Sequence, residues 1–187
     1  MKGRIWTVPN QITLLRLGFL PCFLILISYE QYKWALLVQV LAGLSDGIDG
    51  LLARSLNQRS SLGAYLDPIA DKLLLSSSFI ILAFKQKLAW WLTILILSRD
   101  VLILIVAAVI ILISGYRPFP PSILGKLTTL LQIILVFAVV FAAAYPDPRL
   151  VVLNRFLIYA VTALTVTSGF HYSFSIARRL SSATPPP

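Results

Sequence analysis

Long stretches of this chain hold little but leucine, isoleucine, valine, alanine and phenylalanine. Several are long enough to cross a bilayer as a helix, which takes about 20 residues. The composition agrees: 58% of the 187 residues are hydrophobic and 12% are charged, where a soluble domain carries about a quarter charged. The expectation is an all-α integral membrane protein with six transmembrane helices.

The six spans are read at 11–29, 34–56, 61–84, 89–113, 122–144 and 150–177. Their connections are short and carry the helix breakers: "YEQYK", "KQKLA", "SGYRPFPPS" and "YPDPR". Residues 1–10 include Lys2, Arg4, Ile5 and Trp6, which suits a short interfacial helix. One membrane domain then fills 11–179, and 180–187 reads as a disordered tail. The basic start followed by an apolar run mimics a signal peptide. No small-residue cleavage site follows it and further apolar segments do, so an uncleaved first span is expected. Cys22 is the one cysteine, so the chain can form no internal disulfide; it reads as a small packed hydrophobe. Trp34, Trp90 and Trp91 read as interfacial anchors.

The net charge is +9, with the cations scattered between apolar segments. Anionic lipid head groups and phosphate-bearing ligands explain that distribution better than nucleic acid does. Six spans put both termini on one side, which collects Lys2, Arg4, Arg54, Arg59, Arg117, Arg178 and Arg179. Cytoplasmic loops favour Lys and Arg, so the termini and the loop 54–62 are expected there.

Against this background residues 44–74, "LSDGIDGLLARSLNQRSSLGAYLDPIADKLL", stand out, because they hold four of the seven acidic residues. Asp46 and Asp49 are spaced i,i+3 near the end of the second span. Asp67 and Asp71 are spaced i,i+4 near the start of the third, so each pair shares a helical face. If the two faces meet, four carboxylates converge just inside the membrane. A charge within a span costs about 3 kcal/mol on insertion scales, and mutual repulsion adds to it. Protonation would neutralise the cluster, or divalent cations would bind it. Hard oxygen donors with no cysteine and no nearby histidine suit Mg²⁺, Mn²⁺ or Ca²⁺ and argue against zinc.

A purely structural alternative pairs these aspartates with Lys72, Arg99, Lys126 or Arg155. One such contact would be unremarkable, but two helically phased pairs are harder to explain that way. Gly47, Gly50, Ala53, Gly63 and Ala64 lie among the acids and leave backbone open to close helix packing or to a phosphate-bearing ligand. Arg54 can meet a phosphate with a two-pronged hydrogen bond.

The pattern Asp-x-x-Asp-Gly-x-x-Ala-Arg, eight residues, Gly, three, Asp, three, Asp is complete here in Asp46, Asp49, Gly50, Ala53, Arg54, Gly63, Asp67 and Asp71. In this the chain resembles the class I CDP-alcohol phosphatidyltransferases, and its size and six spans agree beyond the motif. The resemblance implies transfer of a phosphatidyl group from CDP-diacylglycerol to an alcohol, with release of CMP. It implies that Asp46, Asp49, Asp67 and Asp71 ligate two divalent ions, Mg²⁺ or Mn²⁺, and that Asp71 is also the general base. Asp46, Gly50, Ala53, Arg54 and Gly63 would contact the cytidine diphosphate. A homodimer is expected on the same ground, in a bacterial cytoplasmic or mitochondrial inner membrane, with the site facing cytoplasm or matrix.

Two subfamilies are most similar, one taking glycerol 3-phosphate to make phosphatidylglycerophosphate and one taking phosphatidylglycerol to make cardiolipin. The former typically carries an Arg-Glu followed eight residues later by a second arginine, then a Gly-Lys-x-Lys-Thr, cations that hold the acceptor's phosphate. Here "SRDVLILIVAAV" keeps Arg99 but has Asp100 next and Ala107 at the second arginine's place. "LGKLTTLLQ" keeps Gly125 and Lys126 but has Thr128 where the second lysine would be. "SRDVLIL", "LNQRSSLGAYLDPIADKLL" and "GFHYS" look like the eukaryote-type cardiolipin synthases. A monoanionic phosphodiester acceptor needs fewer cations, so phosphatidylglycerol is the expected acceptor. Arg99 and Lys126 are candidates for gripping an acceptor or lipid phosphate, with a salt bridge to Asp100 or snorkelling as the alternative. His171 and Tyr172 read as interfacial anchors, and Lys72 as either a head-group anchor or a site residue. A divalent-cation transporter is the rival from another class; it would not need Gly50, Ala53, Arg54 and Gly63, and Arg54 would repel its ion.

Overall fold

A computed structural model describes the backbone of residues 8–55, 61–114 and 123–183, with side chains at 15, 17–45, 71–105 and 123–170. Among these residues there are six helices and no strands: α1 (Val8–Ser28), α2 (Tyr32–Ser55), α3 (Ser61–Phe84), α4 (Trp90–Ser114), α5 (Ile123–Ala144) and α6 (Pro148–Ala183). Each expected segment is a helix. Two of them, Ile123–Ala144 and Pro148–Phe170, are long and apolar enough among the described residues to cross a membrane. The interfacial segment expected at 1–10 falls outside the described residues as far as residue 7, and 8–10 open α1. At the other end α6 runs through 180–183, where the sequence suggests disorder. Nothing in Leu180–Ala183 breaks a helix; the first obstacle is Pro185, which disfavours helical backbone at the residue before it.

The turns explain why the helices stop. At the end of α1 the Glu30 amide bonds to the Ile27 carbonyl at 3.0 Å and the Gln31 amide to Leu26 at 2.8 Å. α3 ends the same way, with Gln86 bonding to Ala83 at 3.0 Å and Lys87 to Leu82 at 2.9 Å. Both are Schellman closures, which need a left-handed residue and usually take glycine there. Here Glu30 (φ 60°) and Gln86 (φ 56°) fill that place. Between α5 and α6, Asp147 caps the next helix: its Oδ1 accepts from the Arg149 amide at 2.7 Å, and Pro148 takes the first helical position, where no amide is needed.

The chain divides into two units, Met1–Leu88 with Val136–Leu150, and Ala89–Leu135 with Val151–Pro187. In the first, α1 packs on α2 and on α3. Phe23 and Ile27 of α1, Ala35 and Ala42 of α2, and Phe79 and Leu82 of α3 are all buried. Its turns are stitched by side chains: Lys85 Nζ lies 3.5 Å from Glu30 Oε1, Lys87 stands over the Tyr32 ring and Lys33 over the Tyr145 ring. Cys22 is exposed on α1, a correction to its reading as a packed hydrophobe. The second unit buries Leu92 and Ile96 of α4, Leu135 of α5, and Leu157 and Val161 of α6.

Candidate active site

α2 carries Asp46, Asp49, Gly50, Ala53 and Arg54, and α3 carries Gly63, Asp67 and Asp71. Both segments are helical in backbone, so the spacings of three and four set Asp46 with Asp49, and Asp67 with Asp71, on one face of each helix. The two acid-bearing helices belong to the same unit and share α1 as a neighbour. Asp71 is exposed on α3. The side chains of Asp46, Asp49, Ala53, Arg54 and Asp67 lie outside the described residues, as do the surroundings of Gly50 and Gly63. Among the described side chains alone no three metal-binding groups stand together. Serines beside this region are spent on their own helices, Ser45 on the Leu41 carbonyl at 2.8 Å and Ser78 on Leu74 at 2.6 Å.

The two candidate phosphate cations lie in the second unit and differ sharply. Arg99 on α4 is buried: its Nη1 donates to Asp100 Oδ1 at 2.8 Å, with both side chains 8% exposed. Its Nε donates to Ser168 Oγ on α6 at 3.1 Å. Arg99 is thus paired with Asp100 on its own helix and with Ser168 on α6. Lys126, in the first turn of α5, is exposed. A cation in a helix's first turn works against the helix dipole, so it does nothing for the stability of α5, and it adds its charge to a set of amides that already attracts anions. Arg155 is exposed on α6 and Lys72 half-buried on α3. His171 and Tyr172 have side chains outside the described set. Trp34, Trp90 and Trp91 are all exposed.

Thr128 has a different meaning from the one its sequence position suggests. It is fully buried, with its hydroxyl donating to the Leu124 carbonyl at 2.7 Å and lying 3.4 Å from the Leu164 carbonyl of α6. A lysine here would have to place its charge in the packing between α5 and α6. Sequence reasoning missed Ser168, Gln132 and Thr165. Gln132 is fully buried and Thr165 nearly so, and neither the Gln132 amide nor the Thr165 hydroxyl finds a partner. The available signal was polar residues at helical spacing inside apolar segments, as in "TALTVTSGF".

The family profile described as CDP-alcohol phosphatidyltransferase matches residues 6–167, which include all eight signature positions. A Streptomyces coelicolor protein named cardiolipin synthase (CMP-forming) is 41% identical over 132 residues, covering 67% of this chain and 61% of the relative. The Homo sapiens protein of that name is 33% identical over 192 residues, covering 93% of this chain and 62% of the relative. A probable phosphatidylglycerophosphate synthase of Mycobacterium tuberculosis is 34% identical over 187 residues, covering 96% of this chain and 84% of the relative. The chain therefore spans less than two thirds of the length of those two cardiolipin synthases. With the signature intact on α2 and α3 and the profile matched over most of its length, this chain belongs to the CDP-alcohol phosphatidyltransferase family.

Proposed function

We propose that this chain is a six-span membrane enzyme that moves a phosphatidyl group from CDP-diacylglycerol to phosphatidylglycerol, giving cardiolipin and CMP. The observation that carries the reading is the eight-position signature lying on two helices of one unit. The relatives named cardiolipin synthase support the choice of acceptor. Asp46, Asp49, Asp67 and Asp71 suit two divalent ions, Mg²⁺ or Mn²⁺, by donor chemistry: hard carboxylate oxygens, paired on each helix, with no thiolate among them. Bound there, such ions supply Lewis-acid charge to the pyrophosphate.

The chain's own residues do the rest. Gly50, Ala53, Arg54 and Gly63, with Asp46, hold the cytidine diphosphate, and Arg54 offers its phosphates a charged fork. Asp71 takes the proton from the acceptor hydroxyl as that oxygen bonds to the phosphorus of the phosphatidyl group. The bond from that phosphorus to CMP breaks, and CMP leaves with the electron pair. Lys126, an exposed cation in the first turn of α5, is the candidate for the acceptor's phosphodiester. The active site faces the cytoplasm or the mitochondrial matrix, and the working unit is a homodimer.

The Mycobacterium tuberculosis relative, which this chain covers more fully, favours glycerol 3-phosphate as the second reading. One assay separates the two. Purified protein is given CDP-diacylglycerol with Mn²⁺ or Mg²⁺, and CMP release is followed with phosphatidylglycerol, with glycerol 3-phosphate, and with neither. Release that depends on phosphatidylglycerol is expected. Release with glycerol 3-phosphate alone overturns the acceptor and keeps the family chemistry.

A further inference from the structure

The buried cluster around Arg99 has no place in the chemistry just described, yet it is the most fully built polar arrangement among the described residues. Neighbouring residues on a helix point about 100° apart, so Arg99 and Asp100 do not meet by default. The long arginine side chain turns back to reach Asp100 Oδ1 at 2.8 Å and at the same time spans to α6, 69 positions later in the chain, to bond Ser168 at 3.1 Å. Ser168 spends its own hydrogen on the Thr165 carbonyl at 3.1 Å, which leaves its oxygen lone pairs to accept from Arg99. Ser168 is 2% exposed. The guanidinium is held from two sides and its charge is neutralised by an adjacent carboxylate, an arrangement suited to fixing helices rather than to seizing a mobile anion.

One turn from Ser168 the same helix meets α5, where Thr128 stands 3.4 Å from the Leu164 carbonyl. Arg99 therefore ties α4 to α6 beside the place where α6 contacts the first turns of α5. Lys126, exposed and two residues before Thr128, projects from that same part of α5.

Building on the acceptor role given to Lys126 above, we infer that Arg99 is a positioning residue. With Asp100 and Ser168 it forms a buried clamp between α4 and α6 that sets where Lys126 stands to meet the acceptor's phosphate. Removing the clamp then weakens acceptor use and leaves donor use intact.

The test uses the full chain in detergent or lipid. Ser168→Ala removes one partner of Arg99 and touches no substrate. The KM for the acceptor lipid should rise about tenfold, the equivalent of one hydrogen bond to a charged group, with the KM for CDP-diacylglycerol unchanged. Thr128→Val should shift the acceptor KM in the same direction, and Thr128→Ser, which keeps the hydroxyl, should restore it. An unchanged acceptor KM in Ser168→Ala overturns the clamp, as does an equal rise in both KM values, which marks general loosening of the fold. A second readout needs no turnover: a nitroxide on Lys126→Cys in a Cys22→Ser background. Its spectrum should show greater mobility when Ser168→Ala is added, and an unaltered spectrum overturns the proposal. Should the protein release no CMP with any acceptor, the proposed function fails while the label still decides the clamp. If glycerol 3-phosphate proves to be the acceptor, its KM takes the place of the lipid's.

Discussion

The two units of the chain bury different things. In the unit built on α1, α2 and α3, the buried polar residue among those described is Ser78, and its hydroxyl is satisfied by its own helix. The unit of α4, the start of α5 and α6 buries Thr93, Arg99, Asp100, Thr128, Gln132, Thr165 and Ser168. The first unit buries mostly apolar side chains among those described, and its signature aspartates lie in the second half of α2 and the first half of α3. The second places charge and hydroxyls inside its packing. A buried ion pair rarely adds stability over an apolar core of the same shape, so the polar core of the second unit is not explained by stability alone. Under the function proposed above, the first unit carries the signature aspartates and the second holds the buried polar clamp.

That division can be broken most forcefully at Asp71. As general base it contributes about 10²- to 10⁴-fold. Asp71→Asn should therefore lower CMP release by that order while thermal unfolding stays where it was; retained activity removes Asp71 from the mechanism. Next in size is Thr128→Lys, which forces a charge into the buried packing of α5 on α6. An uncompensated buried charge costs about 3–5 kcal/mol, so thermal stability and folded yield should fall steeply, with no gain in glycerol 3-phosphate use. A stable variant with normal melting would show that position 128 faces open space.

A smaller change should run the other way. Gln132 is fully buried and its amide is unpaired. Leaving a buried polar group unsatisfied costs about 1–3 kcal/mol, so Gln132→Leu should raise the unfolding midpoint. A drop on that substitution would mean that the amide does find a partner in the folded protein. The mildest test lies in the first unit, at the turn after α3. Gln86 holds φ 56°, a backbone state that costs a side-chain-bearing residue about 1–2 kcal/mol and glycine nothing comparable. Glycine also has more freedom to lose on folding, at about 0.5–1 kcal/mol, so Gln86→Gly should stabilise by about 0.5 kcal/mol in chemical denaturation.

Much of the helical architecture was legible because length and apolarity are local properties. α3 falls on its expected residues, 61–84, and the other helices within a few positions except at the end of α6. The stops after α1 and α3 were harder to read, since Glu30 and Gln86 sit where glycine usually signals a left-handed cap. The run of α6 through Leu180–Ala183 was missed because serines there looked like the start of a tail. The acid signature was legible because its residue types and spacing are rare in apolar sequence. The clamp was not: a serine 69 positions from its arginine leaves no trace in either local sequence. Whether Arg99 was free or spent depended on packing, and Thr128 could be read as a missing cation only until its burial was known.

The proposed chemistry requires α2 and α3 to bring their aspartates to one metal-binding site. Mn²⁺ binding to the purified protein, followed by electron paramagnetic resonance, tests it most directly. Two ions per chain with a spin-coupled spectrum are expected, lost when Asp49 or Asp67 is replaced by asparagine. No tight Mn²⁺ binding, or isolated ions indifferent to either substitution, would contradict it.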